Sequence, residues 1–216
     1  METKHQYLDT YPISKDSEKL IVGTIHPHDH LSFKVQFFYG NVMSIWTILS
    51  DAFPEQLHKP LTLSGILRFL DSHKIAVSDA IRSCQRLNTT ANDSDLIVTE
   101  LNHQMIESIR DSKITEILFT SGFGKNSAFK LFYVDILKKK ITAEIRKNKE
   151  TILDGNTFGR PIKLTILYSP SGAANIGLSK SRIYLDSASK YQESKTPVYD
   201  FKVDYYREKF GTNDES

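Results

Sequence analysis

Four short apolar runs, each bounded by polar or turn-forming residues, punctuate the chain. They lie at 18–24, 75–78, 114–120 and 161–168. Continuous apolar runs of this length are typical of strands that are buried on both faces of a parallel sheet. The pattern therefore predicts four strands that form a mainly parallel sheet.

Segments with a helical period separate these runs. Val42, Ile45, Trp46 and Leu49 are spaced i, i+3, i+4 and i+7, which predicts a helix over 42–52 with Asn41 as its N-cap. The same pattern predicts further helices at 62–73, 103–112, 181–192 and 198–210, and a long basic helix that begins near Lys125. Residues 83–96 are polar and rich in turn formers. Strands that alternate with helices predict an α/β fold.

The length and composition fit one large domain. The 216 residues, 39% of them hydrophobic, can bury a core, and we expect an arm at 1–17, one domain over 18–210 and a polar tail at 211–216. No apolar run approaches the roughly 20 residues that span a bilayer, and the polar N-terminus lacks a secretory pattern. The single cysteine, Cys84, excludes an intramolecular disulfide. These features predict a cytoplasmic protein.

Positive charge is concentrated in one part of the chain. The net charge is +2, but twelve Lys and Arg stand against four acids between Lys125 and Arg182, a local balance of +8. This segment could face phosphates. An ordinary solvated helix would have the same composition, so both interpretations stay open.

In an open parallel sheet, ligands bind beyond the carboxyl ends of the strands. That rule selects the loops 24–30, 79–84, 120–125 and 169–175. The first of these contains His26, His28 and His30. Alternating histidines could bind a metal ion, one of them or Asp29 could act in acid/base chemistry, or the loop could be an unremarkable surface.

Two more segments have a composition that suits a nucleotide. Phe37, Phe38 and Tyr39 are consecutive, and on a strand they could not all face inward, so one of them could stack on a planar base. Loop 169–175 has small side chains throughout, which would let the backbone approach a phosphate closely. Serine, proline and glycine also simply make turns.

Together these segments resemble the uracil-DNA glycosylase superfamily, and in particular the branch of the mismatch-specific and hypoxanthine-DNA glycosylases. The resemblance covers roughly 18–190. It is carried by a strand followed by Gly23-Thr24-Ile25-His26-Pro27, by Phe38-Tyr39-Gly40-Asn41 before a helix with Trp46, and by a strand followed by Ser169-Pro170-Ser171. It implies a three-layer αβα sandwich with a four-stranded, mainly parallel central sheet, a base pocket at the carboxyl ends of the strands, and no cofactor.

The resemblance also implies roles for individual residues. The family places Asp or Asn before the proline, where it positions water and supports the sugar cation, whereas this chain has His26 there. The candidate replacements are His26, Asp29, Asn41 and Asp79. The predicted site comprises His26, Asn41 and Asp29 as catalytic residues, Phe38 (the stacking ring), Tyr39, Gly23 and Thr24 for the base, and Ser169, Ser171, Gly172, Asn175, Lys180 and Arg182 for DNA, without a metal.

The function predicted from these observations is that of a monofunctional DNA glycosylase. It would flip a deaminated base of the uracil or hypoxanthine class out of DNA and hydrolyse its N-glycosidic bond. We expect a monomer that binds DNA and no membrane, with 23–30, 37–41 and 169–175 converging on one cleft. The alternatives are a non-catalytic nucleic-acid or nucleobase binder on the same fold, and a metal-dependent hydrolase that uses the histidines of 26–30.

Overall fold

The computed structural model describes residues 1–87 and 92–211, which contain two β-sheets. The five-stranded sheet has the order β3-β2-β6-β8-β7 and the three-stranded sheet the order β1-β4-β5. The strands are β1 (Glu2–Lys4), β2 (Lys19–Gly23), β3 (Ile75–Asp79), β4 (Ile81–Arg86), β5 (Leu96–Leu101), β6 (Glu116–Phe119), β7 (Glu150–Leu153) and β8 (Ile162–Ile166).

The four strands predicted from the apolar runs are confirmed as β2, β3, β6 and β8, and they pair in parallel. The larger sheet nevertheless has a fifth strand, β7, which pairs antiparallel with β8. The expectation of a four-stranded, mainly parallel sheet is therefore wrong in this respect, because the described sheet is mixed and five-stranded. Strand β7 escaped prediction because it is a partly exposed edge strand, whose Ile152 faces solvent.

The smaller sheet is wholly antiparallel and was not predicted. Its strand β4 overlaps the segment expected to be turn-rich, because Ser83 and Arg86 are polar residues that are nevertheless buried in the strand. Strand β1 lies in the segment 1–17 that was expected to be an arm, and it pairs with β4. Residues 88–91 of the turn-rich segment lie outside the described residues.

The helices range from one turn to four. They are α1 (Ser44–Ala52), α2 (Leu63–Ser72), α3 (Gln104–Arg110), α4 (Ala128–Lys130), which continues as a π-helix over Leu131–Ile136, α5 (Ala143–Asn148), α6 (Gly155–Phe158), α7 (Asn175–Leu178), α8 (Arg182–Leu185) and α9 (Pro197–Phe210). The helices predicted at 42–52, 62–73, 103–112 and 198–210 are thus confirmed. Asn41 is not an N-cap, however, because Met43, in the left-handed region, precedes the first turn of α1.

Two helix predictions are wrong. The long basic helix from Lys125 is broken into short segments, where Asn126, Lys138 and Lys149 all have a positive φ that a right-handed helix cannot accommodate. The helix over 181–192 is reduced to α8 and a 3₁₀ turn at Ala188–Tyr191. In this stretch the hydroxyl of Ser187 donates to the carbonyls of Ile183 and Tyr184. Such side-chain hydrogen bonds compete with the backbone hydrogen bonds of a regular helix.

The described residues form two compact units. The first comprises Met1–Asn41 and Lys74–Leu167, and it holds both sheets around a shared core that includes Leu20, Ile117 and Cys84. The second comprises Val42–His73 and the described residues from 168 onward. The single domain over 18–210 stays a prediction, and all of the predicted tail except Gly211 lies outside the described residues. No helix in the described part of the chain is long and apolar enough to cross a membrane.

Candidate active site

Three neighbouring parallel strands of the first unit, β2, β3 and β6, end at one edge of the larger sheet. Gly23 ends β2 and is paired in register with Asp79, which ends β3, and Thr120 directly follows β6. The hydroxyl of Tyr39 lies 3.2 Å from Oγ1 of Thr120. These four residues lie at the carboxyl edge of the sheet, where a ligand site is expected.

Gly23 makes this arrangement possible because it lacks a side chain. A Cβ at this position would overlap the hydroxyl of Tyr39 and Oδ1 of Asp79. Both polar groups therefore approach the end of β2 more closely than any other residue would allow.

The carboxylate of Asp79 is buried and only half satisfied. Asp79 is 4% exposed, and its Oδ2 accepts a 2.8 Å hydrogen bond from Nε2 of His5. Its Oδ1 is buried without a hydrogen-bond partner among the described residues. Buried polar atoms are rarely left unpaired, because each one costs on the order of 1–3 kcal/mol. This oxygen therefore retains an unused hydrogen-bond acceptor site at the end of β3.

The hydrogen bonds of His5 show that its ring is neutral. Its Nδ1 accepts from the backbone N–H of Tyr7 at 3.1 Å, so that nitrogen has no proton. The proton is therefore on Nε2, which donates to Asp79. With this tautomer the imidazole of His5 brings no positive charge to the carboxyl group of Asp79.

A second carboxyl group lies nearby. The hydroxyl of Thr24, the residue after Gly23, donates to Oδ2 of Asp93 at 2.9 Å. Burial, and then the charge of Asp79, raises the pKa of Asp93 to about 6. The side-chain amide of Asn126 fixes this segment by donating to the carbonyls of Asp93 and Leu96.

His26 is buried with both ring nitrogens occupied. Its Nε2 accepts from the backbone N–H of Gln6, and its Nδ1–H donates to the carbonyl of Pro27 at 2.7 Å. Burial lowers the pKa of His26 to about 4, so the ring is neutral near pH 7. In this arrangement neither nitrogen is available to a water molecule or a base, and the catalytic role assigned to His26 stays a prediction.

The aromatic segment differs from the predicted platform. Phe38 is 1% exposed and packs against the rings of His5 and Tyr7, so no face of its ring is open for stacking. The alternation argument fails because this segment is a turn, with Tyr39 at φ 58°, and both phenylalanines point inward. Tyr39 is instead the aromatic residue that reaches the strand ends.

The remaining candidates of the first unit are less enclosed. Asp29 is exposed and Asn41 is half-buried. The ring of His28 is hydrogen-bonded through Nδ1 to the hydroxyl of Thr3. Within residues 1–87 and 92–211, no group of three or more His, Cys, Asp or Glu side chains could hold a metal ion.

The predicted DNA-binding residues lie in the second unit. Ser169 and Ser171 cap a turn by accepting from the N–H groups of Ser171 and Ala173, and Asn175 accepts from Lys202. Gly172, Lys180 and Arg182 are exposed, and Arg182 also pairs with Asp186. The convergence of loop 169–175 with 23–30 and 37–41 stays a prediction.

The residues at the site that the sequence did not indicate are His5, Thr120 and Asp93. His5 lies in a segment without apolar periodicity, so no signal placed it beside Asp79. Thr120 begins loop 120–125, which the strand-end rule selected, but no residue of that loop was singled out. Asp93 is fixed by long-range contacts that no local pattern indicates.

No known family model matches the chain, and no curated protein sequence matches it. Among solved structures, the chain is similar to a solution NMR structure from Methanosarcina acetivorans that bears the name "putative Uracil DNA glycosylase". That match covers 96% of this chain and 98% of the other, with 17% sequence identity and a TM-score of 0.47. A similarity of this size does not establish a family or an activity.

Proposed function

We propose that the protein is a monofunctional DNA glycosylase that hydrolyses the N-glycosidic bond of a deaminated base. One observation above all supports this function. The buried carboxylate of Asp79, with Oδ1 unpartnered among the described residues, lies at the carboxyl edge of the sheet beside Gly23 and Tyr39. The resemblance of the segments around Gly23, Tyr39 and Ser169 to the glycosylase superfamily supports the same proposal.

The chemistry suits a carboxylate with one oxygen that has no hydrogen-bond partner among the described residues. When the glycosidic bond breaks, the electron pair leaves with the base and the sugar becomes cationic. In our proposal Asp79 stabilises that cation, since His5 is neutral and does not cancel its charge. A water molecule then adds to C1′ of the sugar and gives its proton to Asp79. Asp79 thus takes the role that the sequence assigned to His26, Asn41 or Asp29.

Tyr39 replaces Phe38 in this proposal as the aromatic residue beside the base. Its side chain is half-buried and its hydroxyl lies within hydrogen-bonding distance of Thr120. The three-layer αβα arrangement, one domain over 18–210, a monomeric state and the absence of a cofactor complete the proposal, as the sequence resemblance implies them.

A non-catalytic nucleobase or nucleic-acid binder is the second candidate. It is favoured by His26, whose ring nitrogens are both engaged, and by Phe38, which is buried. In such a protein Asp79 would accept a hydrogen bond from a base N–H group without supporting any reaction.

Base release separates the two candidates. Oligonucleotides that contain uracil, hypoxanthine or xanthine, single-stranded and in duplex, are incubated with the protein and then treated with alkali to cleave abasic sites. We expect cleavage of at least one substrate class and none of the undamaged strand. Binding of DNA without release of any of the three bases would favour the binder instead.

A further inference from the structure

Asp93 is a half-buried carboxyl group that is held from two sides. The hydroxyl of Thr24 donates to its Oδ2 at 2.9 Å, and the side-chain amide of Asn126 donates to its backbone carbonyl at 2.8 Å. The carbonyl of the next residue, Ser94, accepts from Nζ of Lys125 at 2.9 Å. The carboxyl group is therefore fixed against the loops that follow β2 and β6, two of the strands that end at the candidate site.

The two oxygens of this carboxyl group differ in their hydrogen bonds. Oδ2 accepts from Thr24, whereas Oδ1 has no hydrogen-bond partner among residues 1–87 and 92–211. Because Thr24 occupies an acceptor position on Oδ2, a proton bound by Asp93 belongs on Oδ1, from which it can be donated to a ligand. Thr24 directly follows Gly23, which is paired with Asp79 in the sheet, so both carboxyl groups lie around the end of β2.

The ionisable groups around Asp93 carry charges of both signs. They are Asp79 at the end of β3, Arg86 and the buried thiol of Cys84 in β4, and Lys125 in the loop after β6. Burial, and then the charge of Asp79, raises the pKa of Asp93 to about 6, although the hydrogen bond to its Oδ2 and the charge of Arg86 act in the opposite direction. Asp93 therefore holds a proton at a pH where an ordinary aspartate has lost it.

We propose that Asp93 is the general acid of the reaction and donates the proton on its Oδ1 to the departing base, a role that rests on the proposed function. The C1′–N bond breaks, its electron pair passes to the base, and the base takes the proton of Asp93. The water molecule that adds to C1′ gives a proton to Asp79, and exchange with solvent then restores both carboxyl groups. One carboxyl group that donates a proton and a second that supports the sugar cation divide the work as in other glycosyl cleavage.

The first test measures single-turnover base release between about pH 5 and pH 8.5. Asp93→Asn keeps the size of the side chain and an acceptor for Thr24 but has no acidic proton, and Asp111→Asn is the control at an exposed carboxylate of the same unit. We expect the wild-type rate to fall as the pH rises through about 6. Asp93→Asn should lack this fall and should be about a hundredfold slower than wild type at about pH 5.5. Asp111→Asn should follow wild type.

The second test needs no substrate and follows the carboxyl carbon of Asp93 by NMR as the pH changes. Thr24→Val removes the donor that stabilises the ionised form, so the pKa of Asp93 should rise. Asp79→Asn removes a neighbouring negative charge, so the pKa of Asp93 should fall. Opposite shifts in the two variants would support the arrangement of Thr24, Asp79 and Asp93 independently of catalysis.

Three results would overturn the role of Asp93 and leave the proposed function intact. The first is release of the base by Asp93→Asn at the wild-type rate over the whole pH range. The second is a loss of rate that is equal at every pH and comes with a lower melting temperature, which would make Asp93 a structural residue. The third is a pKa of Asp93 that neither Thr24→Val nor Asp79→Asn changes. Wild type that releases no base would instead overturn the proposed function, and the role of Asp93 with it.

Discussion

At the scale of single residues, the burial of His26 has a consequence for stability. The pKa of His26 is about 4 in the folded protein, against 6.5 when the ring is solvated, so the unfolded chain binds its proton more tightly. The contribution of His26 to the free energy of unfolding is fully present above about pH 6.5 and is lost as the pH falls toward 4. At about pH 5 the loss amounts to about 2 kcal/mol.

Urea unfolding of wild type and His26→Gln at about pH 7.5 and pH 5 tests this prediction. Asp93 acts in the opposite direction, because its raised pKa makes the folded state bind a proton more tightly, so only the difference between the two proteins isolates His26. We expect the variant to lose about 2 kcal/mol less than wild type on acidification. Equal losses would show that His26 titrates normally.

Gly23 gives a second prediction at this scale. In Gly23→Ala the new methyl group would overlap Tyr39 and Asp79, so one of the two must move. We expect the free energy of unfolding to fall by about 1–3 kcal/mol, as overpacking usually costs, and base release to fall with it. Gly124→Ala is the matched control, since a Cβ there meets nothing within 4 Å. Thermal melting and base release of the two variants check this prediction. Equal melting temperatures and equal rates of base release would contradict the close approach of Tyr39 and Asp79 to Gly23.

At the scale of elements, the strands made of continuous apolar residues were predictable and the other strands were not. Continuous apolar runs identify β2, β3, β6 and β8 because a strand covered on both faces has no polar alternation. Strand β4 mixes polar and apolar residues, and it became recognisable only through its partners β1 and β5. The segment that begins at Lys125 was wrongly predicted to form one long helix, because amino-acid composition does not reveal the positive φ of Lys138 and Lys149.

The candidate site was predictable only in part, because some of its residues follow apolar strands and others are placed by long-range contacts. The strand-end rule selected the loops 24–30, 79–84 and 120–125, and the structure brings Gly23, Asp79 and Thr120, which border these loops, to one edge of the sheet. His5 could not be found, because its place depends on pairing of β1 with β4, a contact between residues about 80 positions apart. The choice among His26, Asp29, Asn41 and Asp79 needed hydrogen bonds, which no sequence pattern gives.

The pairing of β1 with β4 leads to a prediction for the single cysteine. Cys84 lies in β4 opposite Thr3, is fully buried, and has a pKa raised by burial. Deletion of residues 1–4 removes β1 and exposes an edge of β4. We expect the native Cys84 to react at least tenfold faster with a disulfide reagent, followed by absorbance, because opening of this sheet becomes easier. An unchanged rate would mean that β1 contributes nothing to the stability of the sheet.

At the scale of the whole molecule, the net charge is only +2, but positive charge is concentrated between Lys125 and Arg182. If that segment contacts DNA, binding releases counterions and weakens as salt increases. We expect log affinity for undamaged duplex DNA to fall against log salt with a slope steeper than about −2, which corresponds to more than two neutralised phosphates. Anisotropy titrations at several salt concentrations check this, and a flat dependence would argue against every nucleic-acid function.

In the proposed reaction Asp79 supplies the negative charge for cleavage of the glycosidic bond, and single-turnover base release by wild type and Asp79→Asn measures that contribution. Asp16→Asn, at an exposed carboxylate of the same unit, is the control, and thermal melting shows whether each variant is folded. We expect wild type and Asp16→Asn to release the deaminated base at equal rates, and folded Asp79→Asn to be at least about a hundredfold slower. Release by Asp79→Asn at the wild-type rate would contradict it.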